Sequence, residues 1–323
     1  MTASMTAHPL DVRAIRKVIP SKVLSSIEKI ECFDIISSTN QYLLDAAREH
    51  HPQKTWVCIA DQQIIGRGRQ ARTWFSPPNV NIYFSLLCSL KTAELSGLSI
   101  VIGIIIAEAL QQYGIKNISL KWPNDILCDH QKLGGILVET FPNTSADETF
   151  VVIGIGLNVN MIDPPLELIT QPWTSLAQIN HRSYDRNKII GLLIERCLVG
   201  LVQLKQNGLT SFTSLWHRYD ELKNKMIFVE MGGQIIAGTA EGITPEGYLL
   251  LRTGLNQLQT IISADKIQFA WGNFVRHLND SEFEQQIAKK LEKKKSIKYA
   301  RSKMLKELKN TKEKSPIQDI AHY

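Results

Sequence analysis

The 323-residue sequence predicts a protein of the α/β (α+β) class, with a larger domain of strands and helices followed by a small β-barrel. Three observations predict it. Between Glu31 and Asp220 apolar strand patterns alternate with helical ones, as a sheet covered by helices requires. From about Lys223 the strands become short and closely spaced, separated by Gly-Gly, Pro-Glu-Gly and Thr-Gly turns, which suits a small barrel. The composition, 44% hydrophobic and 21% charged, is that of a chain able to bury a sizeable core. The expected divisions are a short N-terminal segment (1–30), the main domain (31–222), the barrel (223–271) and a lysine-rich tail (272–323).

Taken in order, residues 1–30 carry mixed short patterns broken at Pro9 and Pro20, too short a stretch for a winged-helix DNA-binding domain. Glu31–Ile36 reads as a strand that enters Ser37-Ser38-Thr39-Asn40, and Gln41–His50 follows with Leu43, Leu44 and Ala47 at helical spacing. The hydroxyl and amide cluster between them either caps that helix or offers donors and acceptors to a small ligand. Lys54–Ala60 and Val80–Leu90 read as strands, and Glu94–Tyr113 as a helix with Gly114 at its C-cap. Ser119–Glu139 reads as strand, Pro-Asn-Asp turn, short strand, hairpin around Asp129–Gln131 and strand again. Thr149–Asn160 is a buried strand ending in Gly-Ile-Gly-Leu-Asn. Its glycine spacing is not that of a dinucleotide fingerprint, and no helix follows it directly. Asn158 there is either a turn residue or an oxygen ligand near a metal-bound phosphate. A proline-rich loop (161–173), an amphipathic helix (186–206) and a shorter helix (210–220) lead to the barrel strands, 226–230, 234–242, 247–251 and 258–262.

The densest chemistry lies in Ala60–Pro77, ADQQIIGRGRQARTWFSP. Two glycines there let backbone approach a ligand closely, and three arginines present guanidinium forks matched to phosphate and carboxylate oxygens. Gly/Arg runs also occur in RNA-binding tails, but those are repetitive and poor in apolar residues, whereas this one is wedged between two strands. In the second dense stretch Lys121, Asp125 and Lys132 are charges in an apolar frame.

Five cysteines stand singly, with no CxxC pair, which points to reduced thiols in the cytoplasm and against disulfides or a zinc site. No secretory signal pattern opens the chain, and the apolar run Leu98–Leu110 is too short to span a bilayer and contains Glu108. The formal net charge of +6 is matched by the tail alone: residues 273–323 hold 13 Lys and Arg against 7 Asp and Glu. That tail reads either as a solvated, partly helical run or as a contact for nucleic acid or an acidic partner.

Four stretches, SSTNQYLLD, ADQQIIGRGRQARTWFSP, KWPNDILCDHQKLGGILVE and VVIGIGLNVN, together resemble those of the biotin protein ligases, in the same order and with the small C-terminal barrel. The resemblance covers about residues 31–270. Pairing GRGRxxRxW with KWPND and K(L)GGIL separates this family from the lipoate ligases, which share its fold. It implies a mixed-sheet ligase domain and a Src-homology-3-like barrel. It also implies an enzyme that uses ATP and Mg²⁺ to convert biotin to biotinyl-AMP and passes it to one lysine of an apo biotin carboxyl carrier protein. By the same resemblance, biotin and the adenylate are contacted at Ser38, Thr39, Asn40, Gln63, Gly66, Arg67, Gly68, Arg69, Arg72, Trp74, Lys132 and Gly135. The neutral amide of Gln63 suits the ureido ring, Arg69 the carboxylate and phosphate, Lys132 the reacting oxygens, and Trp74 covers the adenylate. Asp125 either takes the acceptor lysine's proton or orients Lys132, and Asn158 is the candidate at the metal-phosphate region. Many members carry glycine at the position of Ala71. Some double as repressors through an N-terminal helix-turn-helix domain, for which this chain has no room, so no repressor role, no nucleic acid and no membrane are expected. The alternatives are a biotin-sensing DNA-binding regulator acting through the basic tail and a lipoate-type ligase. A homodimer is compatible with a free sheet edge, which leaves no unique mark in one sequence.

Overall fold

A computed structural model describes residues 9–143, 147–165, 169, 171–254 and 257–269. The expected tail lies outside them. The two sheets belong to one compact unit that runs to Gln268.

The larger sheet has seven strands in the order β1-β2-β3-β7-β6-β5-β4. These are β1 (Ile27–Ile36), β2 (Thr55–Gln63), β3 (Ile82–Lys91), β4 (Ile118–Lys121), β5 (Asp125–Cys128), β6 (Gln131–Pro142) and β7 (Glu148–Leu157). β1 and β2 run parallel because helix α3 (Thr39–His50) crosses over between them, while the other neighbours are antiparallel. The sheet is therefore mixed, as the resemblance implied.

Helix α3 packs on one face. Its Leu43, Leu44 and Ala47 form a core with Trp56, Cys58, Leu87, Phe150 and Val152. On the other side lies α4 (Leu98–Gln112), buried along almost its whole length, with α6 (Arg186–Asn207) packed so closely that Gly200 leaves no room for a Cβ beside Ile105. The all-round apolar sequence of α4 follows from this double coverage. α4 starts later than expected. A 3₁₀ turn occupies Thr92–Glu94, and Gly97, at φ 70°, interrupts the helical path before Leu98.

The N-terminal segment is more ordered than its mixed patterns suggested. Short helices α1 (Val12–Val18) and α2 (Ser21–Leu24) precede β1, which begins at Ile27 and not Glu31. Ile15 is fully buried, and α1 seats on α6 where Gly191 has no side chain. The short helix α5 (Leu176–Asn180), capped by Ser175, also went unpredicted, and α7 (Thr213–Tyr219) follows a 3₁₀ turn. Such short elements form because neighbours bury one face, and they carry too few residues for a periodic signal.

The second sheet has the order β11-β10-β9-β8-β12, comprising β8 (Met226–Met231), β9 (Gln234–Ile243), β10 (Leu249–Thr253), β11 (Leu258–Ile261) and the unpredicted β12 (Lys266–Phe269). The chain passes from one edge of this sheet to the other through residues 262–265. Five residue steps reach about 18 Å fully stretched, and a flat five-stranded sheet is about 19 Å between its edge strands. The sheet must curl, which is the geometry of a small open barrel.

Candidate active site

The site lies on the face that carries α3, where the ends of β2, β6 and β7 meet the loop after β2. Two rows of facing residues build its floor. Gly156 pairs with Gly135 on one side and Tyr83 on the other, and Gly154 pairs with Leu137 and Ser85. A side chain on either β7 glycine would collide with what covers it: a Cβ at Gly154 would stand 2.1 Å from Asn40 Oδ1, and one at Gly156 would stand 2.6 Å from Trp74 Cε2. That close approach explains the Gly-Ile-Gly spacing, in which glycines two apart share a strand face.

Ser38 is the N-cap of α3, its Oγ accepting from Gln41 N at 3.5 Å. Capping thus accounts for one member of the hydroxyl and amide cluster, and the next two turn inward. Thr39 N and Oγ1 donate to Gln63 Oε1 at 3.0 and 3.2 Å, and Gln63 Nε2 donates to Ser76 Oγ at 3.1 Å. Ser85 Oγ lies 2.7 Å from Thr39 Oγ1 and donates to Asn40 Oδ1 at 2.6 Å. Asn40 Nδ2 donates to Leu137 O and to Glu139 Oε2. The result is a buried set of polar groups, oriented by one another and uncharged except for Glu139. Glu139 and Ser85 were not singled out from sequence; only the strand register reveals that they face α3.

The arginine loop closes as a tight ring. Arg67 bridges to Thr73, Trp74 N donates to Gly66 O at 2.8 Å, and Gly68 N donates to Arg72 O at 2.7 Å. Gly66 is buried, with no room for a Cβ beside Trp74 O. Arg67 reaches across the site to Glu139 Oε1 (2.6 Å) and Gln41 Oε1 (2.9 Å). Arg69 points toward Asn124, Nη1 to Oδ1 3.5 Å, and burial holds its guanidinium below the ordinary value, with Asp125 acting in the opposite direction. An arginine so placed stays charged. Arg72 behaves differently: it turns away to Gln70 Oε1 and the Asp265 carbonyl, so this predicted contact residue is engaged with the C-terminal sheet.

Lys132 Nζ makes a 2.7 Å ion pair with Asp125 Oδ1, with the two side chains 16% and 23% exposed. The pair exists because the hairpin between β5 and β6 folds Lys132 back beside the strand that starts at Asp125. Lys132 Nζ also lies 5.4 Å from the Trp74 ring centroid, and Gly135 passes beneath both. Trp74 rests on the glycine floor with its Nε1 buried and unpartnered. Lys121, the register partner of Asp125, donates to Ile267 O at 2.9 Å, and burial lowers its ammonium from the ordinary value. Strand β2, which leads into the arginine loop, is fixed by an ion pair the sequence did not reveal, from the buried Arg186 Nη1 to Asp61 Oδ1 at 2.6 Å.

Asn158 is 5% exposed, and its amide donates to Thr174 O at 3.0 Å and Lys132 O at 3.4 Å. It ties the start of β6 to the segment after the proline-rich loop. Among the described residues no group of three or more His, Cys, Asp or Glu side chains stands ready to hold a metal ion. Asn158 thus spends its amide nitrogen on two carbonyls, and Asp125 Oδ1 is paired with Lys132.

A floor of bare backbone, a polar wall whose one carboxylate is paired with Arg67, and the cations Arg69 and Lys132 beside it define a class of protein, one that binds a small, partly apolar molecule beside an anionic group. Comparison with known proteins supplies the particular family. Residues 32–158 match the biotin/lipoate A/B protein ligase family, and residues 224–265 match the biotin protein ligase C terminal domain. The chain is 38% identical over 219 residues to the bifunctional ligase/repressor BirA of Escherichia coli (strain K12), covering 67% of each chain. It is 28% identical over 253 residues to the biotin--[acetyl-CoA-carboxylase] ligase of Mycobacterium tuberculosis, covering 76% of this chain and 91% of that one. The biotin protein ligase from Aquifex aeolicus in complex with biotin and ATP superposes with a TM-score of 0.64 at 26% identity, over 75% of this chain and all of that one. The chain belongs to the biotin protein ligases, enzymes that ligate biotin to protein.

Proposed function

We propose that the chain joins biotin to one lysine of a biotin carboxyl carrier protein in two steps at this site, in the cytoplasm. A biotin carboxylate oxygen attacks the α-phosphorus of ATP, and the bond to pyrophosphate breaks. The amine of the acceptor lysine then attacks the carbonyl carbon of the mixed anhydride, loses a proton and releases AMP. The observation that carries this reading is the placing of Arg69 and Lys132 by Asn124 and Asp125 beside a hydrogen-bonded polar set whose one carboxylate, Glu139, is paired with Arg67.

Bringing a carboxylate to a triphosphate meets like-charge repulsion, so fixed cations must stand where negative charge accumulates. In this reading Arg69 meets the carboxylate and α-phosphate, and Lys132 meets the reacting oxygens. Gln63 and Thr39 exchange their bonds to one another, and Asn40 its bonds to Ser85 and Glu139, for bonds to the ureido ring. In this reading ATP is used as its Mg²⁺ complex, and the ion would supply further positive charge where the phosphates gather. Asp125 holds Lys132 in place. The 2.7 Å pair supports that role over proton abstraction from the acceptor.

The test is incubation with MgATP, biotin and an apo carrier domain, read by mass spectrometry. The expected product carries one biotin on one lysine. Labelling by lipoate in place of biotin would overturn the reading.

A further inference from the structure

The arginine loop is held from a second side. Gln70 Nε2 donates to Asp265 Oδ1 at 2.7 Å and to Ala264 O at 3.0 Å, and Arg72 Nη2 donates to the Asp265 carbonyl and to Gln70 Oε1. Asp265 is itself fixed in the second sheet: its other carboxylate oxygen accepts from Gly232 N at 2.8 Å, and its backbone N donates to Glu230 O at 2.7 Å. Loop and clasp lie 195 residues apart in the chain. The loop needs such a hold. Gln70 and Ala71 adopt φ of 56° and 55°, a left-handed turn of two residues that both carry a Cβ. Arg69, whose Nη1 lies 3.5 Å from Asn124 Oδ1, immediately precedes that turn.

We propose that Asp265 is a positioning residue for the ligase reaction, holding the strained Gln70–Ala71 turn through the Gln70 and Arg72 side chains and so placing Arg69 in the site. The second sheet thereby takes part in the first step without touching substrate. Arg67 anchors one limb of the loop to Glu139, and Asp265 anchors the other. With the second anchor cut, the turn relaxes to ordinary backbone conformations and Arg69 leaves its place. This inference rests on the ligase reading for its kinetic arm alone.

The experiment uses the full chain and the variants Gln70→Ala, Asp265→Ala and both together. The first readout is trypsin cleavage after Arg67, Arg69 and Arg72 in protein without ligands, with fragments identified by mass. Cleavage is expected to quicken about tenfold in each single variant and no further in the double. The second is biotin-dependent pyrophosphate release from MgATP, where KM for biotin rises about fivefold or more in each single variant and kcat changes less. A purely structural Asp265, serving only Gly232, would give an Asp265→Ala penalty that persists undiminished on the Gln70→Ala background, and that result overturns the proposal. So does a Gln70→Ala variant with wild-type KM and wild-type cleavage. Gln70 is exposed and outside both sheets, so its variant keeps the test open if Asp265→Ala does not fold. Absence of pyrophosphate release from the wild type would count against the ligase reading, while the cleavage arm would still judge the clasp.

Discussion

Lys132 is where the chemistry of single residues is most exposed to test. Its ammonium is placed by three neighbours, the Asp125 carboxylate, the Trp74 ring and the bare backbone of Gly135, and each constrains a different direction. Replacing Asp125 with asparagine removes the charge that holds Lys132 and leaves the shape nearly unchanged. Adenylate formation is expected to slow by about 10- to 100-fold, the usual cost of a misplaced catalytic group. Transfer from preformed biotinyl-AMP to a carrier lysine should continue at a near wild-type rate. Single-turnover measurement of the two steps separates these outcomes, and a defect confined to transfer would make Asp125 the base.

The glycines of β6 and β7 act as a surface rather than as hinges. Their value lies in the strand register that sets Gly135 against Gly156 and puts the Trp74 ring onto both. Adding one methyl as Gly156→Ala forces Trp74 off that floor, because the new Cβ would stand 2.6 Å from it. The expected results are a loss of about 1–3 kcal/mol in urea unfolding, a changed tryptophan emission and a raised KM for biotin. Gly103→Ala in α4 is the control. Its Cβ would meet Leu120 no closer than 3.4 Å, and a helical alanine gains up to about 1 kcal/mol over glycine. This scale also shows what was legible in sequence. Strands with turn chemistry at their ends, such as Ser119–Glu139, declare themselves locally, and so did the two dense motifs. Ser85 and Glu139 did not, because facing α3 depends on cross-strand register. Asp265 did not, because its partner is far away in the chain. Ala71 was noticed only as a departure from glycine, and its positive φ supplies the physical reason glycine suits that position.

At the scale of the whole molecule the two sheets are joined through residues 220–225, which leave the edge strand β4 and reach Ala240 of β9. Leu120 bridges Asp220 in parallel, and Glu221 N donates to Leu120 O at 2.9 Å. The buried Glu221 carboxylate accepts from Lys225 and pairs with His130, each at 2.7 Å. Burial pushes this carboxyl up, but hydrogen bonds from Lys225, Ser119 and His130 outweigh it and hold it below the ordinary 4.5. A carboxyl lowered in the fold stabilises fully above its unfolded pKa, and that contribution fades as pH falls through the folded value. Glu221→Gln is therefore expected to be less stable than wild type by about 1–3 kcal/mol at neutral pH, with the gap closing below about pH 4.5. Thermal unfolding across that range checks the sign, and a gap that widened on acidification would refute it. Among the described residues no helix is long and apolar enough to cross a membrane.

The account as a whole turns on the first chemical step, so the most direct measurement is pyrophosphate release from MgATP with biotin or lipoate before any acceptor is present. Release that requires biotin, and that falls by about 100-fold or more in Arg69→Ala, is the predicted result. Release with lipoate and not biotin, or release indifferent to Arg69, would contradict it.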